Sequence, residues 1–257
     1  MRQDATTKVA RVEKTSSEGL TQIIKNQVTM TRLANDPTTS FADPFTRLEY
    51  QEAERKNMKA VINSLKPILN DYLPARTLGV KALRGAKFFD SELSEFVVGK
   101  ISSNVKRIKL VNNDTGDTEY GVGMSDLNIE VPFDINEIEQ IVSFEDCMSS
   151  GISQVELFEQ MFKSGLRPKR IVLAVVGATT DGINFFMQKT EEWKEKYGDF
   201  EFVLGCASVC ERVNEDIYLM TLDGQYFYGD IGDANVTVPA EVREQYEALK
   251  ATAKIKK

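Results

Sequence analysis

The order of apolar and polar positions divides the chain into a helical front and an alternating back. Residues 1–18 carry Thr, Ser, Lys and Glu and read as a loose arm. A helix fits Leu20 to Leu33, and "ANDPTTSFADP", punctuated by Pro37 and Pro44, reads as a loop. From Phe45 to Leu69 apolar residues recur at helical spacing, among them Leu48, Ala53, Met58, Val61, Ile62 and Leu65, which predicts a long helix. The texture changes near Thr77. "TLGVKAL" predicts a short strand, "FFDSELSEFVVGKI" a helix and "VKRIKLV" a strand; "NNDTGD" is a turn signal, and "LNIEVPF" a second extended piece. Strand "IEQIVSF", helix "SQVELFEQMFKSG", strand "KRIVLAVVG", helix "DGINFFMQKTEEWKEK" and strand "FEFVLGCA" follow, then an extended "DIYLM" and a charged helical tail, "PAEVREQYEALKATAKIKK". Strands that alternate with helices predict an α/β fold, a mostly parallel sheet flanked by helices, with ligands beyond the carboxyl ends of the strands.

Composition narrows the chemistry. A chain of 257 residues makes one large domain, or one domain with appendages. The formal charge of −7 argues against a nucleic-acid partner, although an anion site built from backbone N–H groups needs no net positive charge. No apolar run approaches the roughly 18 residues of a membrane span, and the first residues lack the apolar middle of a secretion signal. With Cys147, Cys206 and Cys210 alone, no disulfide framework is implied, and a cytoplasmic protein is expected. Histidine is absent, which excludes Ser-His-Asp and Cys-His catalysis and histidine-based zinc hydrolysis. An enzyme of this composition works by positioning and electrostatics.

Two stretches carry candidate chemistry. In "IVSFEDCMSSGIS" an apolar strand ends in Glu145 and Asp146, and a helix begins near Ile152. Free N–H groups and the helix dipole at that start suit a phosphate, Ser149, Ser150 and Ser153 add hydroxyl donors, and Gly151 admits close approach. The acids suit a sugar's hydroxyls, or a divalent metal held through water. An ordinary strand-to-helix turn with a serine cap fits the same residues. In "YGDIGDAN" the pairs Gly229-Asp230 and Gly232-Asp233 suit a tight loop that reads a planar base through its backbone; a hairpin turn fits them too. "TTDG", Thr179 to Gly182, suits either an approach to the base or a helix cap. Cys206 and Cys210 lack partners for zinc and suit core packing.

Taken in order along the chain, these motifs resemble the uracil branch of the type I phosphoribosyltransferases. "FEDCMSSGIS" matches the 5-phosphate loop, "KRIVLAVVGATTDGI" the next strand and loop, and "ERVNEDIYLMTLDGQYFYGDIGDA" the uracil-binding segment. "VKALRGA" resembles the pyrophosphate-binding strand end, "RIKLVNNDTGD" the hairpin flap over the site, and "TRLANDPTTSFADPFTRLEYQEA" the early helix. The sequence departs from the pattern at Ile152 for a glycine, Asn112 for an arginine, Ala234 for a basic residue, Glu145 for Asp and Asp146 for Pro.

The resemblance implies a phosphoribosyltransferase-like domain over residues 28–236, an N-terminal arm or helical extension over 1–27 and a helical tail over 237–257. It implies transfer of a phosphoribosyl group from phosphoribosyl pyrophosphate to uracil, giving UMP and pyrophosphate, with Mg²⁺ as cofactor. Glu145, Asp146 and Arg84 would form the catalytic set, with Arg84 on the pyrophosphate. Cys147, Met148, Ser149, Ser150, Gly151, Ile152 and Ser153 would cradle the 5-phosphate. Tyr228, Gly229, Asp230, Ile231, Gly232, Asp233 and Ala178 would read the base, and Asp233 would reach the metal through water. A homodimer or larger homo-oligomer is implied. The alternatives are a regulatory relative that binds a nucleotide or phosphoribosyl pyrophosphate, and a transferase for another base.

Overall fold

The computed structural model describes residues 17–35, 43–80, 89–103, 105–111, 118–124, 127–132, 134–210, 212–213, 219–220, 226–228, 241–242, 244–245 and 248. Two helices come first, α1 (Ser17–Asn35) and α2 (Pro44–Leu69). Asp43 caps α2 by accepting from the Thr46 N–H at 2.8 Å, and Pro44 occupies the first helical position, where an N–H would be unpaired in any case. Pro67 removes a donor in the last turn, and the helix ends at Leu69. Asn26 bonds Asn57 and Arg32 pairs with Glu49, so the two helices run antiparallel.

The elements that follow are β1 (Thr77–Val80), the single turn α3 (Asp90–Leu93), β2 (Gly99–Ser102), β3 (Val105–Val111), β4 (Thr118–Met124), β5 (Asn128–Glu130), β6 (Gln140–Met148), α4 (Ile152–Lys163), β7 (Arg170–Thr179), α5 (Thr180–Tyr197) and β8 (Glu201–Cys210). Six strands form the main sheet in the order β5-β2-β1-β6-β7-β8, with β5 antiparallel to β2 and the other pairs parallel. A hairpin of β3 and β4 stands apart, as does a small antiparallel sheet of β9 (Arg212–Val213), β10 (Leu219–Met220) and β11 (Tyr226–Tyr228). Within the predicted C-terminal helix, Glu241, Val242, Glu244, Gln245 and Ala248 have helical backbone. No helix among the described residues is long and apolar enough to cross a membrane.

The α/β class and the mostly parallel sheet agree with the expectation from sequence; two local expectations do not. "FFDSELSEFVVGKI" is helical only at Asp90–Leu93 and then supplies β2, which pairs with β1 from Leu78↔Gly99 to Val80↔Ile101. Its β-branched Val97 and Val98 and the glycine at 99 favour the strand over a continued helix. The extended piece expected at "LNIEVPF" is β5, which joins the edge of the main sheet beside β2, while β4 forms the second arm of the hairpin. β6 also runs on to Met148, past the expected end at Phe144.

Alternation along the central strands divides the core into two layers. Val142, Phe144, Val172, Ala174, Val176 and Val203 pack under α1 and α2. Their neighbours Ile141, Ile171, Leu173, Val175, Phe202 and Leu204 pack under α4 and α5, with Leu157, Phe158, Met161, Phe162, Phe186 and Trp193. Strands covered on both faces need continuous apolar runs, as "RIVLAVV" supplies.

The amino ends of the strands are tied together by charge. Arg170 at the start of β7 pairs with Glu201 at 2.6 Å and Asp71 at 2.9 Å and donates to the Ile68 carbonyl. Glu139 sits between Arg76 and Lys169, whose hydrogen bonds hold its carboxyl below the usual carboxylate range, Lys169 contributing more.

Candidate functional site

The parallel strands run in the order β2-β1-β6-β7-β8, so successive crossovers reverse direction between β1 and β6. That reversal is where an open α/β sheet leaves a crevice at its carboxyl edge. Val80, the last residue of β1, is level with Ser143, so β6 extends five residues further, Phe144 to Met148. Within the described residues this overhang pairs only with β7, through Met148↔Ala178. Glu145, Asp146 and the loop Ser149–Gly151 therefore flank the crevice.

The loop is built to turn sharply and to leave the helix start bare. Gly151 is the N-cap of α4, with φ of +74°, a left-handed conformation that glycine adopts without strain. It has no side chain to cap the helix, and the first intrahelical bond is from Val155 N–H to the Gly151 carbonyl, at 2.9 Å. The N–H groups of Ile152, Ser153 and Gln154 thus have no partner within the helix. An ordinary turn with a serine cap is not what forms here. Ser150 is exposed and Ser153 half-buried, while Ser149 is buried.

Two side chains fix the loop from either end. Gln154, buried in the first turn of α4, donates to the Cys147 carbonyl at 3.1 Å. Thr179, at the end of β7, donates its hydroxyl proton to the Ser149 carbonyl and accepts from the Gly182 N–H at 2.9 Å. "TTDG" is accordingly the cap of α5. Gly182 is required by close approach: a Cβ there would lie 2.1 Å from the Ser149 carbonyl oxygen. The sequence suits Thr179 to Gly182 either to a cap or to an approach to a base, and gives no sign that the capping hydroxyl also reaches the loop after β6.

The two acids have different surroundings. Glu145 is 1% exposed and accepts from the Ser143 hydroxyl at 2.9 Å, whereas Asp146 is half-buried and accepts from its neighbour's N–H, on Cys147, at 2.6 Å. The Glu145 carboxylate is thus enclosed within the protein, beside the Ser143 hydroxyl. Its place on the strand is as expected; its enclosure depends on the face of β6 it occupies. Phe144 and Cys147 both pack with the α1/α2-side layer despite their odd separation, so strict alternation breaks across these two acids. Tyr50 of α2 lies near this break. Burial, then the charges of Glu54, Cys147 and Asp146, push its phenol well above the ordinary value, which keeps it protonated.

Of the other predicted residues, Met148 and Ala178 are fully buried in the α4/α5-side layer, so only their backbone is available to a ligand. Ile152 is 36% exposed at the helix start. Burial raises Cys206 to about 12 and Cys210 to about 11, and neither supplies a thiolate near neutral pH. Tyr228 ends β11. Arg84, Asn112 and the segment Gly229, Asp230, Ile231, Gly232, Asp233 and Ala234 lie outside the described residues. Among the described residues no three Asp, Glu or Cys side chains converge to hold a metal.

No family model matches this sequence, and no curated protein does. Among solved structures, the AQ2163 protein from Aquifex aeolicus superposes with a TM-score of 0.51 at 18% identity, over 90% of this chain and 99% of that one. Orotate phosphoribosyltransferase from Mycobacterium tuberculosis, in complex with 5-phospho-alpha-D-ribosyl 1-diphosphate, gives 0.39 at 8% identity over 80% of this chain and 96% of that one. Adenine phosphoribosyltransferase from Trypanosoma brucei, in complex with AMP, pyrophosphate and ribose-5-phosphate, gives 0.37 at 12% identity over 70% and 78%. The two transferase scores are too low to decide anything about this site. The chain shares its fold with the Aquifex protein, and identity at this level assigns neither family nor substrate.

Proposed function

We propose that this protein transfers a phosphoribosyl group from phosphoribosyl pyrophosphate to a pyrimidine base, with uracil the first candidate. The observation that carries the reading is the β6 overhang at the sheet's reversal point, ending in a glycine-capped helix with free N–H groups beside Ser150 and Ser153. Such a start suits the dianionic 5-phosphate. The bond from the anomeric carbon to pyrophosphate breaks, a bond to the base nitrogen forms with loss of its N–H proton, which the departing pyrophosphate can accept, and positive charge develops on the ribose between the two. The protein's part is to hold both partners in line and exclude water. Asp146 takes the role toward the ribose hydroxyls that the sequence suggested for Glu145. Arg84 would hold the pyrophosphate, and Tyr228 to Asp233 would read the base. Mg²⁺ would arrive on the pyrophosphate as a substrate-borne ion.

A second reading, a module that binds phosphoribosyl pyrophosphate without turning it over, is favoured by the enclosure of Glu145 and by Asn112, Ile152 and Ala234 in place of the family residues. Labelled uracil, phosphoribosyl pyrophosphate and Mg²⁺ separate the two. UMP formed by the wild type and not by an Asp146→Ala/Ser150→Ala variant supports the transferase. Calorimetric binding of phosphoribosyl pyrophosphate with no product from uracil, cytosine, orotate or a purine supports the module. Absence of binding refutes both.

A further inference from the structure

We propose that Thr179 is a positioning residue for the anion-binding loop, setting the direction of the free N–H groups at the start of α4 from the neighbouring helix. This rests on the phosphoribosyl reading of that loop. A helix cap needs only an acceptor, which Thr179 provides to the Gly182 N–H at 2.9 Å. Its single hydroxyl proton goes elsewhere, to the Ser149 carbonyl, thirty residues away in sequence. The side chain is 1% exposed, so water does not replace either bond when it is lost. The fit around it is tight. A Cβ on Gly182 would sit 2.1 Å from the Ser149 oxygen, and one on Gly151 would sit 3.0 Å from the Gly182 oxygen. The two loops meet backbone to backbone, with Thr179 as the clasp. Gln154 holds the strand side of the same loop through the Cys147 carbonyl. Ser149 to Gly151, between these ties, is the stretch whose geometry Thr179 sets.

The chemistry separates this role from simple capping. Thr179→Val keeps the shape but strands the Ser149 carbonyl and the Gly182 N–H. Thr179→Ser keeps both bonds and loses a methyl group. Thr179→Ala relieves any crowding that stops the valine variant from folding. Each variant is titrated calorimetrically with ribose 5-phosphate, beside circular dichroism and thermal melting of the full chain. The expected result is a loss of affinity of about tenfold for the valine or alanine variant with the fold retained, the size of one buried hydrogen bond, and near wild-type affinity for the serine variant. Wild-type affinity in a folded valine or alanine variant overturns the positioning role while leaving the phosphoribosyl reading intact. No binding of ribose 5-phosphate or phosphoribosyl pyrophosphate by the wild type overturns both. Equal loss in the serine variant also overturns the proposal, because the hydroxyl would then not be the operative group.

Discussion

The two ends of the main sheet are made of different material. At the amino ends, Arg76, Glu139, Lys169, Arg170, Glu201 and Asp71 satisfy one another's charges, and backbone bonds such as Glu201 N–H to the Lys169 carbonyl stitch successive strands. At the carboxyl ends stand glycines, serines and a helix whose first N–H groups have no capping side chain. One end spends its polar groups inside the chain. The other keeps donors available beside a crevice. On the proposed reading the amino edge serves stability alone, whereas the carboxyl edge also carries the ligand chemistry, and mutations that leave packing intact should therefore separate the two.

The largest expected effect tests the carboxyl edge where it is most crowded. Gly182→Val drives a branched side chain into the Ser149 carbonyl and should lower stability by about 2–3 kcal/mol, measured by urea unfolding, while abolishing ribose 5-phosphate binding. Next is the amino edge. Arg170→Met removes the partner of Glu201 and Asp71 and should cost about 1–2 kcal/mol, less than a fully buried pair because both acids keep some solvent. Its affinity for ribose 5-phosphate should not change; a loss there would break the division between the edges. Ser150→Ala should do the reverse, leaving stability within about 0.5 kcal/mol and weakening ribose 5-phosphate binding several-fold, both read from the same preparations.

The smallest effect is the pH response of the amino edge. Lys169 and Arg76 hold the partly exposed Glu139 carboxyl below its ordinary value of 4.5. A depressed folded-state value means the contribution is present above that ordinary value and is lost as pH falls through the depressed one. Glu139→Gln should therefore lower the melting temperature slightly at neutral pH and flatten its fall below about pH 4.5, where the wild type loses the same contribution.

The sequence made the overall class legible because its strongest signals are periodic. "KRIVLAVVG" and "FEFVLGCA" are continuous apolar runs separated by an amphipathic helix, and they became β7 and β8 beside α5. β2 was hidden because Val97 and Val98 follow a helical turn without a break, and only pairing with β1 reveals the strand. The loop "CMSSGIS" was legible as a helix entry, since its glycine and serines have local preferences. The enclosure of Glu145 was not, because the face a strand residue takes near the end of a sheet depends on the break in alternation between Phe144 and Cys147. Nor was the second bond of Thr179, which depends on a loop thirty residues earlier. Long-range contacts of this kind leave no mark on local spacing.

The most direct test of the division between the two edges is a calorimetric titration of phosphoribosyl pyrophosphate with Mg²⁺ into the wild type, Ser150→Ala and Arg170→Met proteins. The account predicts binding by the wild type, unchanged affinity in Arg170→Met despite its lower stability, and weaker binding in folded Ser150→Ala. Absence of binding by the wild type, or equal affinity in Ser150→Ala, would contradict the assignment of the β6–α4 loop as the phosphate site.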